Sequence, residues 1–247
     1  MLFPLRDNIP AQRPPLATVG IIGVCVGAFV LQMLSPDHLK NWMFVPADLL
    51  SVEAWQERGL GVVVASMVVS MFLHGNLLHI ASNMWFLWIF GDNVEDRLGF
   101  LRFLGFYLAC GLIAALIHTA YTYFKLLVFG GGPQGLAEAA LPTVGASGAI
   151  AGVLGAYLRL FPGATIRSLA FLFIIFTFIE LPALIFIGLW FVLQAISGYT
   201  SLFSAWGGGG VAVWAHIGGF VAGYVLVGVL TGRKRPSGPR VVRFDVD

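Results

Sequence analysis

The informative polar side chains inside the apolar stretches of this sequence are few: His74, His79, Asn83, Ser147 and His216. Polar groups at such depth are costly and are functional candidates for that reason. Ser147 lies in Gly145-Ala146-Ser147-Gly148-Ala149-Ile150-Ala151-Gly152, where small neighbours leave its hydroxyl uncovered. His216 is followed at three and seven residues by Gly219 and Gly223, both on its own helix face. A serine and a histidine can act as nucleophile and general base only when they approach to about 2.6–3.2 Å. A side chain as short as serine reaches a histidine on another helix only if the two backbones nearly touch. Glycines starting beside each residue supply that contact, and Gly148 and Gly152 form a small-xxx-small pair. His79 and Asn83 are four apart and share one helix face.

Each feature has a plainer explanation. A serine in a spanning helix ordinarily bonds back to its own backbone, a glycine-rich face ordinarily only packs, and a lone asparagine ordinarily joins helices. His74 reads as structural. Cys25 and Cys110 sit in apolar runs without metal-type spacing and read as small core residues.

These residues must be positioned by membrane helices. Of 247 residues, 58% are hydrophobic and 11% charged, and the mean hydropathy is +0.88. Soluble domains carry about 25% charged residues, which excludes a free cytosolic enzyme. Uncharged runs cover 14–36, 59–91, 103–124, 139–158, 168–179 and 181–232. A span needs roughly 20 apolar residues, so the runs predict about six spans. They fall near 16–34, 76–91, 100–122, 144–160, 182–197 and 212–231, with a partly buried segment at 60–74 before the second. The stretch 163–180, flanked by Arg167 and Glu180, is expected at the interface. Basic residues Arg233, Lys234, Arg235, Arg240 and Arg243 follow the last span, which puts both termini in the cytoplasm.

The combination resembles the rhomboid intramembrane serine proteases. The resemblance covers about residues 16–231. It rests on His79-Ile80-Ala81-Ser82-Asn83, Glu95-Asp96-Arg97, Gly145-Ala146-Ser147-Gly148, and Ala215-His216-Ile217-Gly218-Gly219 with Gly223. Many members carry Trp-Arg in the first loop, whereas here Trp55 is followed by Gln56 and the arginine is Arg58.

The resemblance implies an all-α polytopic membrane protein, a six-helix bundle with a partly embedded first loop. The expected organisation is a cytoplasmic lead (1–15), a membrane protease domain (16–231) and a basic cytoplasmic tail (232–247). It implies a serine endopeptidase with a Ser147–His216 dyad, an oxyanion site at His79 and Asn83, and packing support from Gly145, Gly148, Gly219 and Gly223. Its substrates would be transmembrane-helix proteins and its surroundings the lipid bilayer, with no cofactor, no metal and no nucleic acid. A non-proteolytic binder of membrane helices is the alternative. Phe186, Trp190 and Phe191 are expected to seal a seam between spans two and five, and Gly207 to Gly210 to form a movable cap. The expected location is a bacterial plasma membrane, with the active site open to the extracytoplasmic side.

Overall fold

The structure, a computed structural model, describes residues 2–172, 175–203 and 212–232. The run Gly207 to Gly210 and the basic tail from Arg233 onward lie outside the described residues.

A strand, β1 (Leu2–Asp7), precedes α1 (Leu16–Leu34). The first loop contains α2 (Pro36–Lys40) and α3 (Val52–Ala54) and leads into α4 (Leu60–Val69). Next come α5 (Leu77–Leu98), α6 (Phe100–Phe129), the short α7 (Pro133–Ala139) and α8 (Ser147–Leu160). Strands β2 (Thr165–Leu172) and β3 (Ile175–Pro182) separate these from α9 (Ala183–Phe203) and α10 (Val213–Thr231).

Among the described residues, α1, α6, α9 and α10 are long and apolar enough to cross a membrane. A fifth candidate is the pair Val52–Phe72 and Leu77–Leu98, bent by 78°, as expected from a run too long for one helix and too short for two. The remaining expected span is α8, with only 14 residues. At 1.5 Å per residue it covers about 21 Å, short of a hydrocarbon core of about 30 Å. Protein surrounds it instead of lipid, and every residue from Gly148 to Tyr157 is buried.

The contact that fixes α8 is with α10. A Cβ added at Gly219 would overlap the Gly148 carbonyl oxygen, one at Gly223 the Gly152 carbonyl oxygen, and one at Gly155 the Phe220 carbonyl oxygen. On its other side α8 meets α6, where a Cβ at Gly148 would lie 2.7 Å from the Ala114 Cβ and one at Gly152 2.6 Å from Cys110. Direct packing of spans four and six, expected from their glycine faces, is therefore what the chain adopts.

The Glu95-Asp96-Arg97 motif acquires a physical role. α1 has no side-chain cap of its own at Pro15. The buried Glu95 carboxylate of α5 instead accepts from the Ala17 and Thr18 N–H groups, both at 2.8 Å. These are orphan donors at the positive end of the helix. Arg97 lies over the Phe161 ring, 5.2 Å from its centre.

The sequence reading did not anticipate a sheet. β1 pairs antiparallel with β2, and β2 antiparallel with β3, in the order β1-β2-β3. The stretch 163–180 thus forms most of a hairpin, and the polar-looking lead supplies its third strand. In β2, Ile166, Ser168 and Ala170 are all buried, the period of two that marks a strand. The sheet is tied to the bundle through Trp85, which donates to the Pro4 carbonyl at 2.7 Å and stacks on Phe3. Asp7 accepts from the Tyr157 hydroxyl at 2.5 Å and from the Asn93 amide at 2.9 Å. Burial pushes its carboxyl up to about 6.

Gly223→Val should lower the thermal midpoint in detergent, because overpacking typically costs about 1–3 kcal/mol and the opposing atom is backbone. Gly188→Val, where an added Cβ would meet nothing within 4 Å, should leave the midpoint near the parent value. Equal midpoints for both variants would show that the α8–α10 contact is looser than described.

Candidate functional site

The approach to Ser147 is extended backbone held by the first loop and by the turn after α4. Thr143 donates to the buried Phe44 carbonyl at 2.7 Å, and Gly145 donates to the Ser70 carbonyl at 2.9 Å. The first loop is itself knitted by Arg58, which pairs with Asp48 and donates to the Asn41 carbonyl at 2.6 Å. Trp55 donates to the Asp48 carbonyl at 3.1 Å, so the arginine and tryptophan meet on one aspartate despite their spacing.

Gly145 has φ +129°, a region that residues with a side chain rarely enter. A Cβ there would also come within 2.8 Å of Cε1 and Nε2 of His79. The bare glycine lets the chain turn into α8 and lets the imidazole lie against it. Its role is this turn and approach, whereas Gly148, Gly219 and Gly223 provide the interhelical contact.

Ser147 is the first residue of α8, and Ala146 before it provides no side-chain cap. The first N–H groups of the helix have no intrahelical partner, and its positive end faces the hydroxyl. Ser147 Oγ lies 2.9 Å from His216 Nε2 of α10. His216 Nδ1 lies 3.0 Å from Gln194 Oε1 of α9. The Trp190 ring lies beside the His216 ring, with centroids 6.0 Å apart.

His79 is in the first turn of α5, which Asn76 caps by accepting the His79 N–H at 2.8 Å. Its Nδ1 faces the Gly75 N–H at 3.5 Å, so the ring proton belongs on Nε2, the edge toward Gly145. Asn83 is buried on the same face, but its amide donates to the His79 carbonyl at 2.9 Å. The structure thus brings Ser147, His216 and His79 together, while one amide N–H of Asn83 is engaged within its own helix. His74 is structural in its main chain: Gln32 of α1 accepts its N–H at 3.0 Å and donates to its carbonyl at 3.2 Å. Its ring meets the His79 ring edge-on, centroids 5.2 Å apart.

The expected aromatic seam is divided. Phe186 stacks near Phe90 of α5 at 6.5 Å, whereas Trp190 and Phe191 turn to Phe220 of α10. Sequence reasoning missed Gln194. The signal was present, since it is a polar side chain in a 52-residue uncharged run, but it lies far along the chain from any motif.

Chemically, the site offers a hydroxyl in contact with an imidazole nitrogen, beside helix N–H groups that lack an intrahelical partner and a second imidazole. That is the equipment of acyl transfer. Among the described residues, no group of three or more His, Cys, Asp or Glu is arranged to hold a metal.

A family profile described as Rhomboid domain matches residues 62–233. The chain is similar to Rhomboid protein 1, mitochondrial, of Saccharomyces cerevisiae, with 28% identity over 216 residues, 87% of this chain and 53% of that protein. It is 27% identical to RHOMBOID-like protein 6, mitochondrial, of Arabidopsis thaliana over 173 residues, 65% of this chain and 51% of that protein. It is 30% identical to Rhomboid protease GlpG of Serratia proteamaculans over 99 residues, 39% of this chain and 32% of that protein. The matches span about half the length of the first two relatives and about a third of the third.

The geometry ranks the two candidate oxyanion donors. With a reporter transmembrane segment, His79→Ala should reduce kcat by about 10²–10³ with little change in KM. Asn83→Ala should reduce it by no more than about tenfold, because its amide already serves the His79 carbonyl. A larger loss in Asn83→Ala would reverse the ranking and mean that the amide turns into the site.

Proposed function

Because this chain belongs to the rhomboid family, we propose that it is an intramembrane serine endopeptidase cleaving transmembrane segments through Ser147 and His216. The family supports intramembrane-protease chemistry in general. The observation that carries the specific reading is the 2.9 Å contact between Ser147 Oγ and His216 Nε2.

A peptide bond within a membrane helix has its carbonyl bonded inside the helix and no water near it. The substrate must unwind at the cleaved bond, and the enzyme must bring water below the membrane surface. A nucleophile at the start of a short, protein-wrapped helix suits that need. Ser147 Oγ attacks the carbonyl carbon while His216 Nε2 takes the hydroxyl proton. The oxyanion is met by the Ser147 N–H and by His79 Nε2–H, with Asn83 holding the His79 turn. His216 then gives its proton to the departing amine. Water, deprotonated by the same imidazole, releases the acyl group from Ser147.

We assign the protease domain to residues 16–231, with 1–15 and 232–247 on the cytoplasmic side. The chain is a multi-pass integral membrane protein. The sequence alone suggested a bacterial plasma membrane. The two relatives above that match over the longest stretches bear mitochondrial names, so a bacterial plasma membrane is not supported.

The test is cleavage of a fluorogenic transmembrane reporter in liposomes. The parent should cleave it, and Ser147→Ala should fall to background while keeping its thermal midpoint. A parent that binds the reporter without cutting it would be a membrane-helix binding protein instead. Undiminished cleavage by Ser147→Ala would show that another group is the nucleophile.

A further inference from the structure

We propose that Gln194 is the positioning residue of the base, its side-chain oxygen holding His216 in the tautomer whose Nε2 can take the Ser147 proton. The proposal deepens the function above and rests on it for the role of the base. It starts from two contacts on opposite edges of one ring: Nε2 to Ser147 Oγ at 2.9 Å and Nδ1 to Gln194 Oε1 at 3.0 Å. A neutral imidazole carries one proton and one lone pair on its two nitrogens. An amide oxygen can only accept. The nitrogen facing it must therefore be the protonated one, and the lone pair falls on Nε2, toward the serine. In the other tautomer Nδ1 would press a lone pair against the Gln194 oxygen, and Nε2 would have no lone pair for the serine proton.

The same contact serves after proton transfer. The imidazolium keeps its Nδ1–H, and the Gln194 oxygen accepts it without change. In a soluble serine protease a buried carboxylate fills this position and stabilises the cation more strongly. Inside a membrane protein a carboxylate is expensive whenever the histidine is neutral, which is its resting state. A neutral amide orients the ring without that charge.

The ring also has an aromatic neighbour from the same helix. Trp190 precedes Gln194 by four residues, one turn, so both side chains share a face of α9. Trp190 lies beside the imidazole at 6.0 Å and against Phe220 at 6.1 Å. Thus α9 meets the base with a tilted aromatic ring and at its far edge, while α8 presents the serine to the near edge. The other titratable groups close to His216 are His79 of α5 and His118 of α6, and both are kept in every variant below.

The experiment uses the full chain in liposomes with the transmembrane reporter, comparing the parent, Gln194→Met, Gln194→Glu and Ser147→Ala. Methionine keeps the length and loses the acceptor. Gln194→Met should lower kcat by about tenfold, the effect of losing one hydrogen bond to the reacting base. KM should stay within about twofold of the parent, and the acid limb of the kcat profile should move to lower pH because the imidazolium loses its partner. Gln194→Glu restores an acceptor and should recover kcat, with the acid limb moved to higher pH. Nitrogen NMR of labelled His216 reads the tautomer independently of turnover: Nδ1 should carry the proton in the parent, and the preference should weaken in Gln194→Met. Parent-like kcat and pH profile in Gln194→Met, with Ser147→Ala inactive, would overturn the positioning role while leaving the protease. Protonation at Nε2 in the parent would overturn it whether or not the reporter is cut. Activity persisting in Ser147→Ala, with His216 protonated at Nδ1, would sink the proposed nucleophile and leave the tautomer assignment standing.

Discussion

Backbone contact between α8 and α10 is the constraint on which the site depends. In lipid no hydrophobic force drives helices together, so association relies on close packing and polar contacts. Here Gly219 and Gly223 sit on the carbonyl oxygens of Gly148 and Gly152, with no room for a Cβ. That approach brings a serine hydroxyl, only one bond from its Cβ, to 2.9 Å from an imidazole on another helix. The shortness of α8 belongs to the same arrangement. A 14-residue helix is too short to cross the hydrocarbon, and its first residue is reached by non-helical chain. That chain is tolerated because Phe44 and Ser70 satisfy its N–H groups.

Several other polar groups are answered from a different element. Glu95 of α5 caps α1, Gln32 of α1 clasps the backbone of His74, and Asp7 of β1 joins Tyr157 of α8 to Asn93 of α5. These contacts tie together elements other than the α8–α10 pair. Gln194 with His216 is the instance at the site itself, joining α9 to the base.

The parts legible in the sequence were those with a local signature. Uncharged runs gave the spans, and the bend before α5 followed from a run of the wrong length for either one helix or two. Ser147, His216 and their glycines stood out because polar and small residues are conspicuous in an apolar background. The sheet was not legible. Its strands β1 and β2 come from distant parts of the chain, and Leu2, Phe3 and Leu5 make too short an apolar group to announce a strand. Neither was the turn of the Asn83 amide toward its own helix, since spacing fixes a shared face and not a hydrogen-bond partner. Gln194 is a polar residue in an apolar run, but nothing nearby in sequence connects it to a histidine in the first turn of the following span.

Ser147 and His216 must be in contact in the working protein for the serine to be activated. A 4-chloroisocoumarin acylates a serine and then exposes an alkylating carbon within reach of an adjacent imidazole, so it measures that adjacency chemically. After reaction in liposomes and digestion, mass spectrometry should find one adduct bridging the peptides that contain Ser147 and His216, and none in Ser147→Ala. An adduct on Ser147 alone, or on any other residue, would contradict the arrangement.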